Sequence, residues 1–258
     1  ELPEKKEGKA LEYAKEAAEN GHVGAQYLYG IMCLKNNENE EAQKYLNKAS
    51  NKGHLIASTT YAYMIIKGKS EITDKSVASE LLEEAARKKY TPAMILLSKL
   101  LKKNKNKKEA LKLIKEAAEL NSPNGLYSYA KEAIMDDGDL EKAAKIAQKG
   151  ADLGHSKSKR ILGIMKRRGT GTEKDDQNAF KLLTESSNAG DTQAKFHLAK
   201  MYLTGSDACK KDEKKAFQLV CESAEKEHPP SVLLKANMLL RGIGTKKKPK
   251  EAYKTASD

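Results

Sequence analysis

AFKLLTESSNAGDTQAKFHLAKMYLTG, residues 179–205, decides the fold, because the chain writes variants of this stretch along its whole length. With Ala179 as anchor, the same frame returns at Ala10, Ala42, Ala78, Ala110, Ala143, Ala216 and Ala252, and subtraction gives intervals of 32 to 37 residues. A period of that size marks a solenoid, whose units cannot bury an apolar face alone and stack on their neighbours.

Two columns inside the period say how the units pack. Seven and eight residues after each anchor every side chain is small, from Ala17 and Ala18 through Ala49 and Ser50 to Ser223 and Ala224. Twenty residues after it stand Gly30, Ala62, Ser98, Ala130, Gly163, Ala199 and Ala236. Helices whose axes pass about 8–10 Å apart admit only short side chains at the closest approach, so these columns are expected to be the contact points. Between them Leu182, Leu183, Leu198 and Met201 repeat at helical spacing and supply a buried stripe. Each period is therefore predicted to be two antiparallel helices, a return helix carrying the anchor and an outward helix after it.

Composition agrees. Six prolines, no tryptophan and an abundance of helix formers suit an all-α chain. A solenoid has no single core that limits its size, so residues 1–258 are expected to form one array that begins and ends in mid-repeat and belongs to a longer one. The formal charge of +12 favours anionic partners without specifying a fold. Cys33, Cys209 and Cys221 lack the spacing of a disulfide framework or zinc site, and Cys33 falls in an apolar helical column. No run approaches the ~20 apolar residues of a membrane span.

The expected path runs through helices at 4–20, 22–35, 40–51 and 54–67, then GKSEITD at 68–74, whose Asp74 is placed to cap the next helix. Polar connections follow at 102–108 (KKNKNKK), 136–139 (DDGD), 169–176 (GTGTEKDD), 205–212 (GSDACKKD) and 242–249 (GIGTKKKP). A last helix starts in 251–258.

AQYLYGIMCL at 25–34, LGIMKRRGTGTEKDDQNAFKLL at 162–183 and LAKMYLTG at 198–205 resemble the units of Sel1-like repeat proteins, cousins of the tetratricopeptide arrays. The resemblance implies a right-handed α/α superhelical solenoid of about seven hairpins, acting as an adaptor that holds partners on its concave side. It leaves cytoplasm and endoplasmic-reticulum lumen both open. The chain lacks the paired cysteines of the secreted cysteine-rich branch. The resemblance also places positions 17 and 21 after each anchor on the groove. The side chains singled out there for partner binding are Tyr27, Tyr63, Lys99, Tyr127, Lys131, Arg160, Phe196, Lys200 and Asn237. Aromatics mixed with cations suit an extended acidic or aromatic peptide, although some of these residues could instead pack between neighbouring hairpins. Reversing the charge of Lys131 and Arg160 is expected to weaken a partner while leaving helicity intact.

Catalytic readings find little. His22, His54, His155 and His228 share one column with Tyr90, Ser122 and Asp191, which fits a recurring turn residue better than a metal site, since ligands must converge. GTGT at 169 and GIGT at 242 follow no strand and complete no nucleotide fingerprint, so they read as turns. No nucleophile elbow or zinc-protease motif occurs. The expectation is a non-enzymatic adaptor with no metal or cofactor. Nucleic-acid binding is the rival reading, disfavoured because the lysines are scattered over many loops.

Overall fold

The computed structural model describes residues 3–257, with the side chains of 8–135 and 138–255. Asp258, part of the last expected helix, lies outside them. The chain divides into two compact units, Glu1–Leu120 and Asn121–Asp258. Among the described residues there is no β-strand, only an isolated bridge between Ser206 and Cys209. The chain is an all-α repeat solenoid.

The first unit holds α1 (Pro3–Glu19), α2 (Val23–Lys35), α3 (Asn39–Asn51), α4 (Leu55–Ile66), α5 (Lys75–Arg87), α6 (Thr91–Lys103) and α7 (Lys107–Glu119). The second holds α8 (Pro123–Glu132), α9 (Leu140–Asp152), α10 (Ser156–Arg168), α11 (Asp176–Asn188), α12 (Thr192–Thr204), α13 (Glu213–Ala224), α14 (Pro229–Arg241) and α15 (Pro249–Ser257). Within each unit the main contacts join helices consecutive in sequence, as a stack of hairpins requires. Even-numbered helices are the outward ones; odd-numbered helices from α3 onward carry the anchors.

The small columns sit where the helices touch. A β-carbon on Gly163 would stand 3.0 Å from Leu183 Cγ and 3.3 Å from the carbonyl oxygen of the anchor Ala179. On Gly30 it would stand 2.8 Å from Leu46 Cγ and 3.4 Å from the oxygen of the anchor Ala42. The outward helix thus meets the anchor of the return helix that follows it. Anchors from Ala42 to Ala252 are buried; Ala10 is exposed, because no described helix precedes α1 to pack against it. Within each unit the column seven and eight residues on makes the other contact, toward the next outward helix. There Ser50 and Ser58 hydroxyls meet at 2.8 Å, Ser223 and Ser231 at 2.7 Å. These serines are small enough to fit, and each satisfies its hydroxyl across the contact. Leu46, Leu82, Ile114 and Leu183 fill the space between, each almost wholly buried, at about 1.5–3 kcal/mol per side chain removed from water.

The turn from return to outward helix has a fixed chirality. Eleven residues after each anchor the backbone takes positive φ: 86° at Gly21, 80° at Gly53, 79° at Gly154 and 84° at Gly190. Three non-glycines hold the same conformation in this column, Lys89 at 58°, Asn121 at 52° and Glu227 at 55°. Asp74 caps α5 as expected, its carboxylate accepting from Ser76 N at 2.8 Å. KKNKNKK is mostly helical, because α6 runs to Lys103 and α7 begins at Lys107. After α8 the chain widens into a π-helical turn, Ala133–Asp137, which the sequence reading did not foresee.

Strain and close approach make opposite forecasts for one urea titration. Lys89→Gly removes left-handed strain at an exposed turn and is expected to raise stability by about 1 kcal/mol. Gly163→Leu drives a side chain into Leu183 and is expected to lower it by about 1–3 kcal/mol or more.

Candidate functional site

The two groove columns separate once the helices are in place. At four of the positions seventeen residues after an anchor, Tyr27, Tyr127, Arg160 and Phe196, the side chain reaches the N-terminal cap of the next outward helix. Tyr27 stacks on His54 with ring centroids 4.9 Å apart, Tyr127 meets the edge of His155 at 5.7 Å, and Phe196 meets His228 at 5.3 Å. Arg160 takes the same place with different chemistry: its Nε lies 3.1 Å from the Asp191 carboxylate, with both side chains 10% exposed or less. The column works as a staple from one hairpin to the next.

Four residues further on, Ile31 and Ile164 are half-buried and the other side chains face solvent. Tyr63 is 48% exposed, and Lys99, Lys131, Lys200 and Asn237 are exposed as well. Lys200 also lies over the Phe196 ring at 5.7 Å. Between α12 and α14 an apolar cleft of about 360 Å³ brings four groove positions together, Phe196 and Lys200 from one hairpin and Leu233 and Asn237 from the next.

The histidine column is a set of helix caps. Nδ1 of His22 accepts from Ala25 N at 3.3 Å, and Nδ1 of His54 from Ala57 N at 3.1 Å; Asp191 does the same for Ala194 N at 2.9 Å. His155 and His228 instead pair with Ser158 and Ser231 hydroxyls at 3.0 and 2.8 Å. An unprotonated ring nitrogen or a carboxylate satisfies an orphan helix N–H equally well, which is why histidine and aspartate interchange here. Burial pushes the pKa of His155 and His228 down. His197 is pushed to about 4, first by burial and then by Arg160, Arg168, Lys200 and Arg167 around it.

Among the described residues no cluster of three His, Cys, Asp or Glu is arranged to hold a metal. The glycine loops offer no phosphate cradle, because a side chain at Gly171 or Gly244 would collide with the carbonyl oxygens of Leu140 and Glu213. That face is already filled by the neighbouring helix start. Cys33 is wholly buried and unpaired, with burial raising its pKa. No helix among the described residues is long and apolar enough to cross a membrane.

Two ion pairs beside the staples were invisible to sequence reasoning, Lys159 with Glu185 at 2.7 Å and Lys195 with Glu222. Each joins position 16 of one period to position 6 of the next. The expectation that Arg160 could be reversed in charge without structural consequence is corrected by its burial against Asp191: a carboxylate there would face another carboxylate.

Stacked helical hairpins with periodic small contacts, cap-to-hairpin staples and an exposed outward-helix column define a helical repeat array. The Sel1 repeat pattern matches residues 3–22, 23–54, 96–122, 128–155, 156–191, 192–228 and 236–254, and the chain belongs to that family. Sel1 repeat proteins are generally non-catalytic scaffolds for protein interaction. The fold is similar to that of a Sel1 repeat protein from Oxalobacter formigenes, at 21% identity over 90% of this chain and 95% of that one, TM-score 0.75. It is also similar to a protective antigen of uropathogenic Escherichia coli strains with an SLR fold, at 25% identity and TM-score 0.70. That match covers 96% of this chain but 56% of the antigen, so the chain spans little more than half its length. An immunity protein from Pseudomonas aeruginosa shares the fold at 17% identity, 79% and 80% coverage and TM-score 0.59. No curated protein sequence matches the chain.

Removing one member of a buried pair leaves the other charge uncompensated, so Arg160→Met is expected to cost about 3 kcal/mol in urea unfolding. The depressed histidines set an acid limit. Folding favours the neutral ring, so the contribution of His197 is complete above its unfolded value near 6.5 and is lost as pH falls toward about 4. The urea midpoint is expected to drop through that window, and His197→Gln to shrink the drop.

Proposed function

We propose that the chain is a non-catalytic adaptor, one Sel1 repeat array that holds a protein or peptide segment against the exposed face of its outward helices. The observation that carries this reading is the division of labour between the two groove columns. Tyr27, Tyr127, Arg160 and Phe196 at position 17 are engaged as staples, while position 21 presents Tyr63, Lys99, Lys131, Lys200 and Asn237 to solvent. Within either unit, exposed aromatic and cationic side chains on successive outward helices suit an extended chain, which meets them one after another. The apolar cleft between α12 and α14 offers such a segment an anchor point.

Nucleic acid fits the surface less well. Around Lys108, Lys112 and Lys115 the lysines alternate with Glu109, Glu116 and Glu119, and Lys112 pairs with Glu109 at 3.7 Å. Phosphate binding draws on uninterrupted cation density and shows a steep salt dependence.

Affinity capture with the whole chain tests the reading when run beside two variants. Tyr63→Ala combined with Lys99→Glu and Lys131→Glu is expected to lose a partner that the wild type retains, with far-UV circular dichroism unchanged. Lys181→Glu, exposed on a return helix, is expected to retain it. Equal capture by all three proteins would remove the outward face from consideration.

A further inference from the structure

The second unit carries an imbalance of charge that its own fold does not use. Between α10, α11 and α12 a notch of about 200 Å³ is lined by Ile164, Arg167, Arg168, Leu183, His197 and Lys200. No carboxylate lines it. The cations on either side are matched, Lys159 with Glu185, Arg160 with Asp191 and Lys195 with Glu222. Among the described residues Arg168 and Lys200 have no such match, and Arg167 makes a long bond to Thr204 Oγ1 at 3.3 Å. His197 forms part of the same wall and is held neutral. Three cations therefore converge where no described residue supplies an anion.

The notch does not stand alone. Lys200 lines it and also the apolar cleft between α12 and α14, whose walls include Phe196, Leu203, Leu233 and Leu234. Leu233 is 66% exposed there. A cationic notch and an apolar cleft thus share one lysine as their common wall, which sets them a side chain or two apart along an extended chain.

We propose that this double site recognises a peptide segment in which an aspartate or glutamate lies next to a large apolar side chain, the carboxylate seated among Arg167, Arg168 and Lys200 and the apolar group in the cleft beside Leu233. The inference rests on the adaptor reading and gives it a partner chemistry. Guanidinium groups present paired N–H donors that match a carboxylate, and an incoming carboxylate relieves the repulsion among the three cations. The apolar half selects for peptide over polynucleotide, whose sugar-phosphate chain has no aliphatic side chain to bury there.

A displayed library of short unstructured peptides, selected against the whole chain, separates this inference from the reading beneath it. Enrichment of adjacent acidic and apolar residues is expected. A fluorescein-labelled selected peptide is then expected to lose about tenfold in affinity for Arg168→Glu/Lys200→Glu, a smaller factor for the neutral Arg168→Gln/Lys200→Gln, and about tenfold for Leu233→Asp. Lys181→Glu, exposed on a return helix, is expected to leave it unchanged. Selected peptides without the acidic and apolar pair, or an affinity indifferent to these variants, would overturn the inference and leave the adaptor standing. A single-stranded oligonucleotide that displaces the peptide at lower concentration would overturn it as well. Failure to select any peptide would count against both.

Discussion

The distance between helix axes governs everything else in this molecule. Once Gly163 lies against Ala179 and Leu183, and Gly30 against Ala42 and Leu46, the hairpin has one separation and one rotation at which it closes. Leucine and isoleucine between the small columns then meet at packing distance, as ridges do when they settle into a facing groove. A larger residue at the closest point would spread the pair and uncover the apolar stripe that stabilises it. The small columns therefore bind less than the leucines do, yet they decide where the leucines go.

Packing of that kind positions one hairpin but leaves the junction to the next under-determined, since an apolar face can slide. Directional contacts resolve it. Tyr27 on His54, Phe196 on His228 and Arg160 on Asp191 each join the middle of one outward helix to the cap of the next. His54 and Asp191 thus serve twice, each holding its own helix start and receiving the staple. Aromatic pairs and a buried ion pair are interchangeable in this role because both are satisfied in one relative orientation only.

How much of this could be read from the chain follows from which features are local. The small columns stood out because Gly, Ala and Ser recur at one offset, and the capping role of Asp74 was legible from its place before a helical run. The left-handed turn was legible at Gly21 and Gly53 but hidden at Lys89 and Glu227, whose identity does not betray a positive φ. The staple was hidden for another reason. Arg160 and Asp191 lie 31 residues apart, and their column holds aromatic–histidine pairs in three other periods and Thr59, Ile95 or Leu233 in the rest, so no single residue pattern marks it. The groove list consequently mixed two columns that differ only in whether the next cap lies within reach.

That difference also explains where spare chemistry collects. At Tyr27, Tyr127, Arg160 and Phe196 position 17 points into the next cap, and the side chain there becomes part of the fold. Position 21, one helical turn on, has moved past the cap, and Tyr63, Lys99, Lys131, Lys200 and Asn237 there meet solvent. Stability alone would place a carboxylate opposite Arg168 and Lys200, as it does opposite Lys159 and Lys195 on the neighbouring turns of the same helices. Like charges left facing one another raise the free energy of the folded chain, by a small amount at an exposed site. A surface that carries this cost beside an unfilled apolar cleft is complementary to something acidic and apolar that comes from outside the fold.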